Sequence, residues 1–286
     1  MICGDTRSRL ENLPIPRFLS VFLIFSLLFL RVGIAVPNQL RPPSAVIPPG
    51  ETLVYEIRWD PPPWMFFLPT ISAGELTVQF KHQVVLDGKA VHQISARAVS
   101  SGFLPKLTGV SVDDSFESFV SAERFCSVKM NKKLREGKRS RDIVLTFDGD
   151  RGTGRYLAYD SAKTPPAELK NEEVKNVPPC VQDILSGIYI TRLQALRTGE
   201  IFPLSVSDDG SVKQVEVRVK EKEPIEALAG KFSAWKLETV SVFGGLFKGG
   251  GTLVVWFSDD TRQMPVKFDA KVKMGRVFGT LKEIKR

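Results

Sequence analysis

The sequence predicts a mainly β protein, built as a large curved antiparallel sheet or a barrel-like fold with one amphipathic helix. Short runs that alternate apolar and polar residues recur along the chain, and turn signals such as Asp87-Gly88 and Glu136-Gly137 separate them. Only one long segment has helical periodicity. The simplest arrangement of about a dozen strands and one helix is a single domain, in which the helix covers a face or mouth of the sheet.

The first 35 residues have the features of an export signal. Arginines precede an uninterrupted apolar run at residues 18–30, and the small residues Gly33 and Ala35 follow with the spacing that signal peptidase accepts. The sequence therefore predicts that residues 1–35 are a signal peptide, cleaved between Ala35 and Val36. The mature protein is then expected in the periplasm or cell envelope.

The alternative is a retained inner-membrane anchor formed by residues 18–36. Arg31 limits the apolar run to 13 residues, which is short of the roughly 20 that a membrane-spanning helix needs. Cleavage is therefore the favoured interpretation. Membrane contact is expected only if this segment is not cleaved, and then only through it.

Residues 36–49 contain five prolines and are predicted to form an extended tether. One β-rich domain is expected over residues 50–286. Its first strands are "ETLVYEIRW" and "ELTVQF", in which every second residue is apolar. Further strands are predicted at residues 89–99, 110–120, 124–135, 140–148, 153–159, 211–220, 231–243, 251–258, 263–274 and 276–284.

The helical segment is "PPCVQDILSGIYITRLQALRTGE", residues 178–200. Two prolines precede its apolar stripe, and Gly199 is placed to end it, so the pattern predicts a helix of about five turns. The stripe consists of Val181, Ile184, Leu185, Ile188, Leu193 and Leu196.

Charge argues against a nucleic-acid partner. Residues 1–35 carry four Arg and two acidic residues, so their removal lowers the formal net charge from +8 to +6. Seven cations cluster between residues 129 and 141, but no aromatic residue interleaves them as a single-strand binding surface requires. The favoured interpretation is the solvated flanks of a hairpin, with an anionic lipid or glycan surface as the alternative. The seven are Lys129, Lys132, Lys133, Arg135, Lys138, Arg139 and Arg141.

Asp259 and Asp260 are the most catalytic-looking pair in the chain. They lie between the strand-like runs "TLVVWF" and "PVKFDAKV", where Asp side chains commonly accept hydrogen bonds from turn amides. No His or Cys is adjacent. Turn chemistry is therefore favoured over acid/base catalysis.

His82 and His92 flank the Asp87-Gly88 turn. A register that pairs Phe80 with Ile94 would also place the two histidines opposite each other. A third ligand is missing nearby, so a structural pair is favoured over a metal site. We expect no metal and no cofactor.

"PPPWMFFLPT", residues 61–70, is too rich in proline for a strand or a helix, yet it carries Trp64, Phe66 and Phe67. Core packing is the favoured expectation for this loop. The alternative is contact with an apolar ligand or a membrane.

Cys126 and Cys180 are the two cysteines that remain after signal cleavage. In an oxidising compartment this pair is compatible with a disulfide that would pin the start of the helix to the sheet. Sequence alone does not establish that the two residues are close.

Several stretches together resemble the exported bacterial proteins known as the domain of unknown function 3108 family. They include "GETLVYEIRW", "VDDSFESFV", "REGKRSRDIVLTFD", "VPPCVQDILSGIYITR" and "VVWFSDDTRQMPVKFDAKVKMG". The resemblance runs from about Gly50 to Leu281 and implies an exported, β-rich protein. It supplies no catalytic residues.

Two functions are therefore weighed. The preferred one is a non-enzymatic envelope protein that binds an apolar or amphipathic ligand, such as a lipid, or an envelope protein partner. The alternative is a hydrolase that uses the Asp259/Asp260 pair or the His82/His92 pair. A binder needs an apolar cavity, whereas a hydrolase needs those side chains to converge in a cleft.

Overall fold

The computed structural model describes residues 46–102, 105, 109, 111–241, 252–272 and 275–285. The predicted signal peptide and most of the predicted tether lie outside these ranges. The strands are β1 (Thr52–Asp60), β2 (Ile71–Phe80), β3 (Val84–Leu86), β4 (Lys89–Ser100), β5 (Asp113–Ser121), β6 (Ser127–Glu136), β7 (Arg139–Asp148), β8 (Thr153–Asp160), β9 (Ala167–Lys175), β10 (Ile201–Ser207), β11 (Val212–Ala227), β12 (Gly230–Ser241), β13 (Leu253–Ser258), β14 (Pro265–Val272) and β15 (Gly275–Lys285). The α-helix of these ranges is α1 (Ile184–Arg192), and a short 3-10 turn spans Pro63–Met65.

All the strands belong to one antiparallel sheet, so the predicted fold class is confirmed. The order across the sheet is β10-β11-β12-β13-β14-β15-β1-β2-β4-β5-β6-β7-β8-β9, with β3 paired to β4. Most neighbours in the sheet are also neighbours in the chain, as in a meander. The exception is the pairing of β1 with β15, which joins the two ends of the domain in the middle of the sheet.

The sheet curls so that its two edges approach each other across the concave face. The segment before α1 is bonded to both halves: Ser127 of β6 donates to the carbonyl of Val181, and Gln182 bridges to Val206 of β10. The turn after β10 reaches the other half as well, because the Asp208 carbonyl accepts a hydrogen bond from Lys132 at 2.6 Å. This closure produces the barrel-like shape.

The position of Lys132 corrects one expectation about the basic cluster. Lys132 is buried and its ammonium lies 2.5 Å from the Asp208 carboxylate, so it is not a solvated flank. Arg135 and Arg141 do lie at the surface, where they pair with Asp142 and Glu136 respectively.

Two edge regions escaped the sequence prediction. β9 reads "AELKNEEVK", and its residues are nearly all polar and exposed, so it lacks the alternation by which strands are recognised. β10 contains Pro203, which an edge strand tolerates because one side of an edge needs no amide donor. Charged and proline-containing edges also discourage pairing with another chain.

The helix is shorter than the five turns predicted, and spans nine residues. Asp183 begins it with a capping box, in which its carboxylate accepts from the amides of Leu185 and Ser186 while the Ser186 hydroxyl accepts from the Asp183 amide. At the other end, the Arg192 carbonyl accepts from the Gln263 side chain at 2.7 Å, which satisfies an orphan carbonyl without continuing the helix. No helix within the described ranges is long and apolar enough to cross a bilayer.

Buried apolar residues form two clusters. The larger includes Leu53, Ile94 and Leu145 and packs against the buried face of α1 at Tyr189 and Ile190. The second is built on β10 to β14, on which alternate residues point to the same face. Its members are Leu196, Phe202, Val217, Val219, Leu237, Leu253, Val255, Phe257 and Ala270.

Candidate apolar ligand-binding cleft

An apolar cleft lies between α1 and the strands β10 to β13. On the helix side it is lined by residues at i, i+3, i+4 and i+7, which share one face of a helix. On the sheet side it is lined by every second residue of four strands. We call this site the α1 cleft; its lining is Asp183, Ile184, Gly187, Ile188 and Thr191 from the helix end, and Leu204, Val206, Val215, Val217, Leu237, Thr239, Leu253, Val255 and Phe257 from the sheet.

The few polar atoms along the α1 cleft already have partners. The Thr191 hydroxyl donates to the Gly187 carbonyl at 2.8 Å, and the Thr239 hydroxyl donates to the Leu253 carbonyl at the same distance. Both threonines therefore present methyl groups to the cleft. A surface of this kind attracts apolar groups.

Asp183 fixes the start of α1 beside the cleft. It is fully buried, and one carboxylate oxygen accepts from the hydroxyls of Ser118 and Ser127 at 2.5 and 2.6 Å, while the other accepts the two helix amides. Four donors compensate the desolvation of this charge, which lies at the positive end of the helix dipole. The carboxylate thus ties α1 to β5 and β6.

Arg192 fixes the end of α1. Its guanidinium is fully buried and pairs with Glu51 through two hydrogen bonds of 2.6 and 3.1 Å, and it also donates to the Gln263 and Arg262 carbonyls. Burial acts to lower the pKa of Arg192, but the hydrogen bond to Glu51 and the charge interactions with Glu51, Tyr189 and Tyr55 together raise it. The Tyr189 ring lies 5.0 Å from the guanidinium, and burial raises the pKa of Tyr189.

The two cysteines are joined in the structure. The Cys126–Cys180 disulfide has a Cα–Cα distance of 5.0 Å and links the start of β6 to the segment that leads into α1. It lies three residues before the cap Asp183. The bond therefore holds the same end of the helix that Asp183 holds.

The preferred expectation for Trp64, Phe66 and Phe67 is wrong. These rings do not pack on the core: they are 65%, 88% and 69% exposed. The reason is local, because the 3-10 turn and four prolines hold this stretch out from the ends of β1 and β2. They do not line the α1 cleft.

Asp259 and Asp260 lie in the loop between β13 and β14, where turn chemistry was favoured. One oxygen of Asp260 accepts from the amides of Arg262 and Gln263 at 2.9 and 3.0 Å. Asp259 pairs with Lys222 at 2.6 Å and accepts from the Trp235 indole at 3.1 Å. The structure gives each carboxylate its own partners, and neither lines the α1 cleft.

The histidine hairpin keeps only part of the register predicted from sequence, and His82 does not pair with His92. Phe80 pairs with Ile94 as expected, but the added strand β3 pairs Leu86 with Lys89 across a two-residue Asp-Gly turn. His82 lies exposed between β2 and β3, whereas the His92 ring packs 5.3 Å from that of Phe80. Among the residues that the structure describes, no group of three or more His, Cys, Asp or Glu side chains could hold a metal ion.

Sequence reasoning missed the α1 cleft. One signal was available: Gly187 interrupts an otherwise apolar helical pattern, and an isolated glycine there often marks a packing or functional requirement. The sheet side of the α1 cleft could not be recognised from sequence, because it combines residues from four separate strands.

The family model for the "Protein of unknown function (DUF3108)" matches residues 54–282 of this chain. The chain belongs to the DUF3108 family. The resemblance identified from sequence motifs is thereby confirmed. No curated protein matches this DUF3108 chain.

Three solved structures are similar to this chain over most of their length. The beta-barrel-like DUF1849 protein from Brucella abortus is similar with a TM-score of 0.57 at 12% identity, over 84% of this chain and 99% of that one. An exported protein with a YmcC-like fold from Bacteroides fragilis gives 0.34 at 8% identity, over 86% and 100%. A lipoprotein from Parabacteroides distasonis gives 0.32 at 12% identity, over 85% and 99%. The first comparison supports the barrel-like fold of this DUF3108 protein.

Proposed function

We propose that the protein is an exported, non-enzymatic envelope protein that binds an apolar or amphipathic molecule in the α1 cleft. The observation that carries this proposal is the lining of the cleft. Its walls are aliphatic and aromatic side chains, and its threonine hydroxyls are bonded to backbone carbonyls. Ligand pockets in proteins are typically lined in this way.

The shape of the cleft favours a linear apolar chain. Its cavity volume is about 40 Å³, within about 470 Å³ of space that includes the open side. This narrow slot suits an alkyl chain better than a rigid ring system, which would require α1 to move. With no free polar group to orient a headgroup inside it, we expect selection by chain shape more than by hydrogen bonding.

Gly187 offers a direct way to close the cleft. A Cβ atom at this position would meet only the Cβ of Gln182, at 3.8 Å, so there is room for a side chain that projects into the slot. Gly187→Leu should therefore fill the space that a ligand would occupy. Gly187→Ala is the matched control, because it adds one methyl group and should stabilise α1 by roughly 0.5–1 kcal/mol.

The test is titration of the exported protein and both variants with cis-parinaric acid, a linear fluorescent fatty acid, together with native mass spectrometry for copurified lipid. We expect saturable binding by the parent chain and by Gly187→Ala, and at least tenfold weaker binding by Gly187→Leu. Thermal unfolding of each variant checks that the fold is kept. Equal binding by all three proteins, or none by any of them, would contradict the proposal.

A further inference from the structure

The loop of residues 61–70, which we call the aromatic loop, has an unusual composition for an exposed segment. The fourteen residues between Asp60 and Glu75 include no charged side chain. Within them Trp64, Phe66 and Phe67 are exposed together, and Phe66 and Phe67 contact each other edge to face with ring centroids 6.0 Å apart. Single exposed apolar residues are ordinary, but a contiguous aromatic group marks an interaction surface.

The backbone of the aromatic loop is suited to a medium that lacks water. Four of its ten residues are prolines and have no amide donor. Two further amides are bonded within the loop, from Met65 to the Pro62 carbonyl at 2.8 Å and from Leu68 to the Met65 carbonyl at 2.9 Å. Six of the ten backbone positions therefore have no amide donor or have one that is bonded within the loop, which lowers the cost of moving the segment out of water.

The base of the loop is fixed to the sheet. Thr70 donates to the Asp60 carboxylate at 3.0 Å, which closes the loop across its ends. Gly275, with a φ of +94°, lets the first residue of β15 approach the Asp60 carbonyl too closely for any Cβ atom. The aromatic rings are therefore presented on a constrained support, so that little conformational entropy is lost when they bind.

We propose that the aromatic loop inserts into the interfacial region of a lipid bilayer. Tryptophan and phenylalanine are the side chains that favour this region. A bilayer is favoured over a protein partner because all three rings are exposed, Phe66 by 88%, and the loop that carries them has no charged side chain that could pair with another chain. This surface is distinct from the α1 cleft, so the inference holds whether or not the cleft binds a ligand.

Trp64 is a built-in probe of the insertion. Residues 1–45 contain no tryptophan, so a retained N-terminal segment would not contribute to the signal. The exported protein is mixed with phosphatidylcholine vesicles that carry a doxyl quencher near the headgroup end of the acyl chain. We expect quenching of tryptophan fluorescence that is absent in Trp64→Phe, and that persists at high salt because ring burial drives it.

Co-sedimentation with unlabelled vesicles gives the second measurement. Phe66→Ser with Phe67→Ser should weaken vesicle partitioning at least tenfold. The matched control is Leu228→Ser, since Leu228 is 66% exposed in the β11–β12 turn and is not part of the aromatic loop; it should leave partitioning unchanged. Thermal unfolding confirms that the variants are folded.

Three outcomes would overturn the inference. The first is no quenching of Trp64 by doxyl lipid, and the second is binding that requires anionic lipid and disappears at high salt. The third is a lipid-free dimer, seen by analytical ultracentrifugation, that the Phe66→Ser/Phe67→Ser variant abolishes. That result would assign the aromatic loop to a second copy of the chain.

Discussion

At the residue scale, the Arg192–Glu51 ion pair is buried and joins two distant parts of the chain. The two side chains are 0% and 3% exposed and lie 141 residues apart in the sequence. Placing two charges in the interior is favourable only when further hydrogen bonds stabilise them, and here two backbone carbonyls also accept hydrogen bonds from the guanidinium. The pair joins the end of α1 to the chain just before β1.

Glu51→Gln should lower the free energy of unfolding by about 3 kcal/mol, because it leaves the Arg192 charge buried without its counter-ion. Urea denaturation measures the change. The matched control is Arg97→Gln, which breaks the exposed Arg97–Asp113 pair and should cost less than about 1 kcal/mol. The double variant Glu51→Leu/Arg192→Met should recover part of the loss. Equal effects of the two single changes would contradict this account.

His92 should make stability depend on pH. Burial lowers the pKa of His92 from its ordinary value of 6.5, so the folded protein binds a proton less readily than the unfolded chain does. The His92 contribution is therefore intact above about pH 6.5 and is lost as the pH falls through and below that value. We expect the melting temperature of the parent to drop more steeply on acidification than that of His92→Gln. The exposed His82→Gln variant should follow the parent.

At the element scale, α1 is held at both ends and left free along one face. Asp183 and the disulfide fix its start, and Arg192 with Gln263 fixes its end. Tyr189 and Ile190 bury the opposite face in the main core. The half-buried face of Ile184, Gly187 and Ile188 can then border a cleft without loss of the helix, which an isolated nine-residue helix could not sustain.

Removal of the disulfide should destabilise the protein through this element. The bond joins residues 54 apart in sequence, so a Cys126→Ala/Cys180→Ala variant should lose roughly 3–4 kcal/mol, mainly from the greater entropy of the unfolded chain. Denaturant unfolding with and without reductant measures it. Alkylation of unreduced, denatured protein should label neither thiol, and labelling of both would show that the bond is absent.

At the scale of the whole molecule, the sheet carries the two apolar surfaces to which our proposals assign functions. The α1 cleft lies on its concave face, and the aromatic loop follows β1 at one end of the strands. Both are apolar surfaces, which suits a protein that works beside a membrane after export. The predicted signal peptide supplies the route to that location.

The exported protein should begin at Val36. The short apolar run of residues 18–30 and the Gly33-Ile34-Ala35 site predict this cleavage. Intact mass and N-terminal sequencing of protein recovered from the envelope measure it. An N-terminus at Met1 or Ile2 would instead favour the anchor formed by residues 18–36.

Local patterns were enough to predict most of the sheet. The alternation around Leu53 and Tyr55, and the facing of Phe80 with Ile94, follow from the two-residue period of a strand and from the need to bury one face. The same logic placed Asp260 in a turn. The family resemblance also rested on contiguous motifs, and the family match over residues 54–282 confirms it.

Tertiary structure decided the rest, because it depends on groups that are distant in the chain. The polar strand β9 is a strand only because β8 supplies its hydrogen bonds, and α1 ends where Gln263, 71 residues later, caps it. The exposure of Phe66 depends on which parts of the fold lie near the loop. The α1 cleft forms only because the fold places Gly187 opposite residues of four strands. Sequence by itself determined most of the strands and the apolar side of each, whereas the curl of the sheet determined which apolar surfaces are buried and which are left open.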